Sequence, residues 1–193
     1  MRVISGFQTG ADQAGVFAAF DVGLQTGGHI PKGCRTLVGP NFEATQVYGL
    51  VETEENGWLP RTILNVKNSD VTLRFATSWS SGGEKATIRE INKAKKPHRD
   101  FSWSREGDVF HDSMKSWQVA DPKEVAEWLV SSGFGVVNIA GNSESTCPGI
   151  CLATYQFLTS VFIHVLELCK EPAHTLTPEQ EQSECPMVRT QGT

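Results

Sequence analysis

Short apolar runs alternate with longer helical repeats along this chain, and a glycine-bearing loop separates each pair. Arg2 to Ser5 is apolar-rich and ends at Gly6; the loop Gln8-Thr9-Gly10 follows, then a helical spacing from Ala11 to Val22 that Gly23 closes. Val71 to Phe75 repeats the arrangement with β-branched and aromatic residues, then Thr77 to Gly83, then a charged helical segment running toward Lys95 before Pro97. The third unit is Val136 to Ala140, the polar loop Gly141 to Thr146, and Pro148 in the first turn of a long helix reaching Leu168. A further strand is expected near Leu24 to Ile30. Asp121-Pro122-Lys123-Glu124 reads as an N-cap, an N1 proline and an acidic first turn, for a helix ending near Gly133. Phe101 to Gln118 places Trp103, Phe110 and Trp117 among polar residues without a clear period, and is read as an irregular connection with room for a short strand.

Strands alternating with helices need crossover connections, and crossovers make parallel sheets covered on both faces. The expected fold class is α/β: a Rossmann-like three-layer sandwich with a mostly parallel central sheet, over residues 1–170. The chain of 193 residues carries 17 Lys+Arg against 22 Asp+Glu, which suits one domain with its own core. No basic run exceeds Lys95-Lys96, so neither a nucleic-acid polymer nor a membrane surface is an expected partner. Residues 171–193 hold four glutamates, one arginine and three prolines, and are read as a disordered acidic tail. The five cysteines are odd in number and form no C-x-x-C pair, so a reduced, cytoplasmic protein is expected. The apolar stretch Cys151 to Cys169 gathers Gln156, Thr159, Ser160, His164 and Glu167 on one stripe, the mark of an amphipathic helix rather than a membrane span. Its apolar positions, among them Leu152, Tyr155, Leu158, Phe162, Val165 and Leu166, cover more than one sheet contact needs. A homo-oligomer, dimer or tetramer, built on helix 150–168 is therefore expected.

In a parallel sheet the loops after the strands emerge at one edge, where helix N-termini direct N–H groups and positive dipole ends into a shared crevice. An anion suits such a crevice. Gln8-Thr9-Gly10 offers a hydroxyl and an amide, and Asp12 is either a cap or a ligand contact. Lys32, Gly33 and Arg35, after Gly27-Gly28, read either as a cationic clamp or as a solvated basic turn. Ser81-Gly82-Gly83 before a helix with Thr87 offers hydroxyls and bare amides together, and Gly141 to Gly149 is either a further cradle or a capped helix entry. No Walker pattern or dinucleotide fingerprint is present. Cys147 and Cys151 lack a matching His or carboxylate and read as packing residues, so no metal site is expected.

Several motifs in this order carry a resemblance: Ser5-Gly6-Phe7-Gln8-Thr9-Gly10-Ala11-Asp12; Gly27-Gly28 with Pro31-Lys32-Gly33 and Arg35; Arg61-Thr62 with Asn65-Val66; Ser81-Gly82-Gly83 with Thr87; and Asn138 to Gly141 with Ser143-Glu144-Ser145 and Pro148-Gly149-Ile150. Together they resemble the molybdenum cofactor carrier family, circularly permuted relatives of the lysine-decarboxylase-like, lonely-guy Rossmann proteins, over most of residues 1–168. The resemblance implies a Rossmann-like fold, oligomeric assembly and a pocket of glycine loops that binds rather than turns over its ligand. That ligand is the molybdenum cofactor, a phosphorylated pterin, or a nucleotide-like molecule. On this reading Phe7, Gln8, Thr9, Gly10 and Asp12 meet the ring or sugar, and Lys32, Gly33 and Arg35 neutralise charge. Ser81, Gly82, Gly83 and Thr87 hold phosphate with Gly141, Ser143, Glu144, Ser145, Pro148 and Gly149. Two positions depart from the family pattern, Phe7 where a second glycine is usual and Glu84 where a threonine is usual.

Two alternatives stand beside the carrier. One is a sensor or sponge of a nucleotide-derived signal such as an ADP-ribose derivative or a cyclic nucleotide. The other is a phosphoribohydrolase acting on nucleoside monophosphates, with Glu90 and Arg89 or Arg61 as nominal participants. Arg89 and Glu90 are adjacent and diverge by about 100° around a helix, which argues against a shared catalytic site.

Overall fold

The structure, a computed structural model, describes residues 1–170; the tail expected from residue 171 onward lies outside them. The chain runs β1 (Arg2–Ser5), α1 (Ala11–Asp21), β2 (Gln25–Ile30), β3 (Arg35–Thr36), β4 (Gly39–Pro40), α2 (Glu43–Gln46), β5 (Leu50–Glu52), α3 (Leu59–Asn68), β6 (Val71–Ala76) and α4 (Gly82–Ala94). It continues through β7 (His98–Ser104), β8 (Val109–Asp112), a 3-10 turn (Ser113–Lys115), β9 (Gln118–Val119), α5 (Pro122–Ser131), β10 (Val136–Gly141) and α6 (Ile150–Lys170).

Eight strands make one sheet in the order β5-β2-β1-β10-β6-β7-β8-β9. From β5 to β7 every pairing is parallel, and β8 and β9 add an antiparallel edge. This is the α/β, mostly parallel Rossmann-like sandwich expected from the sequence. The region 101–118 differs from the expectation, because it holds most of β7, all of β8 and the start of β9 rather than an irregular connection. Its alternation is masked by a buried ion pair: Arg99 of β7 and Asp112 of β8 both face inward, with Arg99 Nε 2.8 Å from Asp112 Oδ2. A polar residue at an inward position breaks the apolar period by which a strand is recognised.

The two faces of the sheet are chemically unlike. Val3, Val71, Leu73, Phe75, Val137 and Ile139 pack with α1, α5 and α6 in the larger core, where Phe75 stacks on Phe101 at 4.9 Å. The alternate positions Thr72, Arg74, Asn138 and Ala140 belong to the other face, that of α3 and α4. There Asn138 Nδ2 donates to Thr72 Oγ1 at 3.2 Å. Burial on both faces makes β6 read as a continuous buried run, while its two sides serve different ends, an apolar core and a polar floor.

α6 lies between α1 and α5, so its broad apolar surface is shared among the sheet and two helices of the same chain. Leu158, Phe162 and Val165 are buried there. The width that suggested a second buried surface is thus largely covered within one chain, and Leu152 and Ile163 are the large apolar side chains of α6 left exposed.

Candidate functional site

Strands β1, β6 and β10 end at one edge of the sheet, and the loops that follow them enclose a hollow of about 390 Å³. Its floor is formed by Gln8, Asp12, Ala140, Gly141 and Asn142, one wall by Ser81 to Glu84, Ala86 and Thr87 at the start of α4, and the opposite wall by Trp58, Leu59, Arg61 and Thr62 at the start of α3. Leu37, at the tip of the β3–β4 hairpin, closes one side. The size lies within the range of about 300–1,000 Å³ usual for small-molecule sites.

The loops are locked to one another before any ligand enters. The Asn142 side chain accepts the N–H of Thr77 at 3.0 Å and donates to the Ser78 carbonyl at 3.1 Å and to Glu84 Oε1 at 3.2 Å. Its backbone carbonyl takes the Ala11 N–H at 3.1 Å, which starts α1. One residue therefore ties the end of β10 to the β6–α4 loop and to α1. Gly10, at φ +104°, is the N-cap of α1, and a Cβ there would come within 2.4 Å of the Asn142 carbonyl oxygen. The approach of these two loops requires glycine.

Arg61 Nη1 reaches Asp12 Oδ2 at 3.0 Å, and its guanidinium lies over Gly6, whose missing side chain makes the room. Burial raises the Asp12 carboxyl above its usual range, while Arg61 and the N–H groups of Gln8 and Gly141 pull the other way. Asp12 thus serves as the partner of Arg61, and it makes no capping bond at the helix start. Beside it Glu84 is buried, 3.9 Å from Arg74 Nη1, while Arg74 is held by Asp100. Burial pushes the Glu84 carboxyl up to about 7, with Asp12 and Asp100 adding to the rise and Arg74 and Asn142 opposing it. Arg61 is the one cation lining the hollow among the described residues.

The N-terminus of α4 opens on this space. Ser81 Oγ accepts the Glu84 N–H at 3.2 Å, and the amides of Gly82 and Gly83 have no intrahelical acceptor. A Cβ at Gly82 would meet nothing within 4 Å, and one at Gly83 only Ser81 Oγ at 3.9 Å. The pair leaves the helix end bare, where an anion gains from both the amides and the dipole.

Of the residues expected at the site, Gln8, Asp12, Ser81, Gly82, Gly83, Thr87, Gly141 and Ser143 line this hollow. Thr9, Gly10, Glu144 and Ser145 line a neighbouring one, on the other side of Leu37, with Val38 and Cys151. Pro148 and Gly149 border an outer depression with Trp103 and Leu152. Phe7 is fully buried against Phe17 and Tyr48, with ring centroids at 5.7 and 5.4 Å, and lines neither hollow. Lys32 and Gly33, in the turn after β2, and Arg35, at the start of β3, do not line the hollow; Arg35 bonds the Lys32 carbonyl at 3.2 Å and Asn56 at 3.4 Å. Glu90 is buried beside Arg89 and Lys93, and neither it nor Arg89 lines the hollow.

Leu37, Leu59 and Asn142 line the hollow without having been singled out from the sequence, and Trp58, which as a tryptophan is more often a core residue, is 44% exposed and lines it too. The signal for α3 was present in Pro60 beside the helix start, with Trp58 one residue before it. Trp79 precedes the Ser80 to Gly83 loop, a place from which a tryptophan could stack on a ligand ring, but its ring covers the Arg74 guanidinium at 4.7 Å and does not line the hollow.

A crystal structure of a putative molybdenum carrier protein from Syntrophus aciditrophicus SB matches with a TM-score of 0.67 and 30% identity, over 84% of this chain and 94% of that one. No functionally curated protein matches. The model of the circularly permutated YpsA SLOG family matches residues 3–162, and the chain belongs to that family.

Proposed function

We propose that this protein binds and carries a phosphorylated pterin, the molybdenum cofactor, without covalent change. The observation that carries the reading is the bare Gly82-Gly83 end of α4 facing a closed-floored hollow across from Arg61. Amides and one guanidinium suit a single phosphate group. The similarity to a molybdenum carrier structure adds the cargo. Among the described residues no three His, Cys, Asp or Glu side chains cluster to hold a metal ion. Burial and then Glu144 raise the Cys151 thiol, which disfavours the thiolate. The pterin phosphate is therefore the handle by which the cargo is held, and molybdenum travels with the pterin.

Native mass spectrometry of freshly purified protein, with the released molecule identified by mass and by the fluorescence of its oxidised form, tests this. A pterin phosphate is expected. A released nucleotide would favour a sensor or sponge of a nucleotide signal instead. Gly83→Asp puts a carboxylate at the bare amides, at a position where the helix dipole favours it, so the fold should persist while affinity for pterin phosphate drops more than tenfold. Unchanged affinity in this variant would remove the phosphate from α4. Assembly through α6 is also proposed, on the narrower ground of exposed Leu152 and Ile163.

A further inference from the structure

The hollow is polar at its floor and apolar at its mouth. Trp58 and Leu37, which line it, keep 44% and 54% of their surface exposed. They come from different parts of the chain, and each is tied to the floor. The Leu37 N–H donates to Gln8 Oε1 at 2.9 Å, which holds the hairpin tip against the β1–α1 loop. Trp58 begins the inward face of α3, because Trp58, Arg61, Thr62 and Asn65 follow one another at helical spacing. That face is pinned twice: Arg61 to Asp12 at 3.0 Å, and Asn65 to the backbone of His29 in β2, accepting at 2.8 Å and donating at 3.0 Å. The indole therefore stands one turn above the guanidinium on a fixed helix end.

We propose that Trp58 and Leu37 form a ring clamp, taking the flat heterocycle of a ligand whose phosphate sits at Gly82 and Gly83. The proposal rests on the anion site described under the proposed function and adds the other end of the ligand. An indole supplies a broad, stiff face for stacking, and an aliphatic side chain closes the other side of the ring. The charged side chains of the hollow are much less exposed than this pair: Asp12, Arg61 and Glu84 line it from below, and Arg74 is buried beside Glu84. A ligand is thereby held at two places, its anion on the exposed Gly82 and Gly83 amides and its ring at Trp58 and Leu37. A sugar phosphate without an aromatic base fills only the anion seat.

Calorimetric titration of the wild type, Trp58→Phe and Trp58→Ala with 6-hydroxymethylpterin phosphate, guanosine 5′-monophosphate and ribose 5-phosphate tests the clamp. Trp58→Ala should weaken the ring-bearing ligands tenfold or more and leave ribose 5-phosphate within twofold, while Trp58→Phe should retain most of the affinity. The order of the pterin and the guanine compound tells which ring the clamp prefers. Equal losses for all three ligands, or no loss for any, would overturn the clamp and leave the anion site standing. Should the wild type bind none of the three, the anion site and the clamp both fall. Trp58 is exposed and caps α3 through no side-chain bond, so circular dichroism of Trp58→Ala should match the wild type.

Discussion

Glu144 Oε1 accepts the N–H of Gly149 at 2.6 Å, and its other oxygen accepts that of Cys151 at 3.0 Å. The longest helix among the described residues, α6, is thus capped by a carboxylate from its own entry loop. At the same sheet edge α4 is capped only by the Ser81 hydroxyl. Two helix N-termini, one opening on Gly82-Gly83 and the other preceded by Pro148-Gly149, therefore differ in what they can receive. One already holds its anion, and the other is open.

Glu144→Gln should lower stability by about 1 kcal/mol, since a charged cap and its dipole interaction become neutral. For a domain of this size that is a fall in melting temperature of roughly 2–4 °C. Affinity for pterin phosphate should stay within twofold. A tenfold loss of affinity in this variant would instead place the ligand's phosphate at α6.

Gly6→Ala should reproduce Arg61→Ala. A Cβ on Gly6 would lie 1.9 Å from Arg61 Nη1, so the guanidinium must leave its seat. Asp12, 2% exposed, then loses its ion-pair partner. Either variant should cost on the order of 3–5 kcal/mol, the range for breaking a buried pair from one side. Because the two substitutions remove one interaction, the double variant should be no less stable than the worse single one in urea unfolding. Additive losses would show that Gly6 matters for a reason other than making room for Arg61.

Glu84 makes stability depend on pH in a definite direction. Its carboxyl sits at about 7 in the folded protein against an ordinary 4.5, so the folded state favours the protonated form. The contribution is complete below about pH 4.5 and is lost as pH rises through about 7. Arg74, Asp12, Asp100 and Asn142 surround the group, and burial is the largest cause of the shift. Glu84→Gln keeps the shape and the acceptor for Asn142 but cannot ionise. The variant and the wild type should be nearly equal in urea unfolding near pH 5. By pH 8 the variant should be the more stable by on the order of 2–3 kcal/mol. A gap that does not widen with pH would mean that this carboxyl titrates in its ordinary range.

The legible part of the fold was the part with an unbroken period. Val71 to Phe75 and Val136 to Ala140 announced strands because each sits in the sheet interior with an apolar face toward α1, α5 and α6. Asp121-Pro122 announced α5 because a cap and an N1 proline act locally, and Asp121 Oδ1 does accept the Lys123 N–H at 2.9 Å. The strand β8 was hidden because its Asp112 is satisfied by Arg99 of β7 only once those two strands are paired, and β9 is only two residues long. At the site, the Ser81 to Gly83 loop could be read from its glycines, whose effect is local. Asn142 could not, since its importance lies in joining Thr77, Ser78 and Glu84, about sixty residues away in sequence. Lys32 and Arg35 had a suitable charge pattern, yet the turn after β2 directs the Arg35 side chain to Asn56. Charge spacing along a chain does not encode the direction in which a loop leaves the sheet.

Leu152 and Ile163 are eleven residues apart on α6, about three helical turns, which puts them on the same side. They are 62% and 43% exposed, with exposed Gln156 and Ser160 beside them. Their inner neighbours Leu158 and Phe162 already pack within the chain, so a charge placed at Leu152 or Ile163 meets no core residue and should not unfold the domain. If α6 joins copies of the chain, Leu152→Glu with Ile163→Glu buries two carboxylates across the joint and should drive the assembly to monomers, since an unpaired charge at an interface core costs several kcal/mol. Sedimentation velocity at micromolar concentration reads this directly: an oligomer for the wild type and a monomer with an unchanged melting temperature for the double variant. A wild type that sediments as a monomer removes α6 as an assembly surface, and a double variant that stays assembled moves the joint elsewhere.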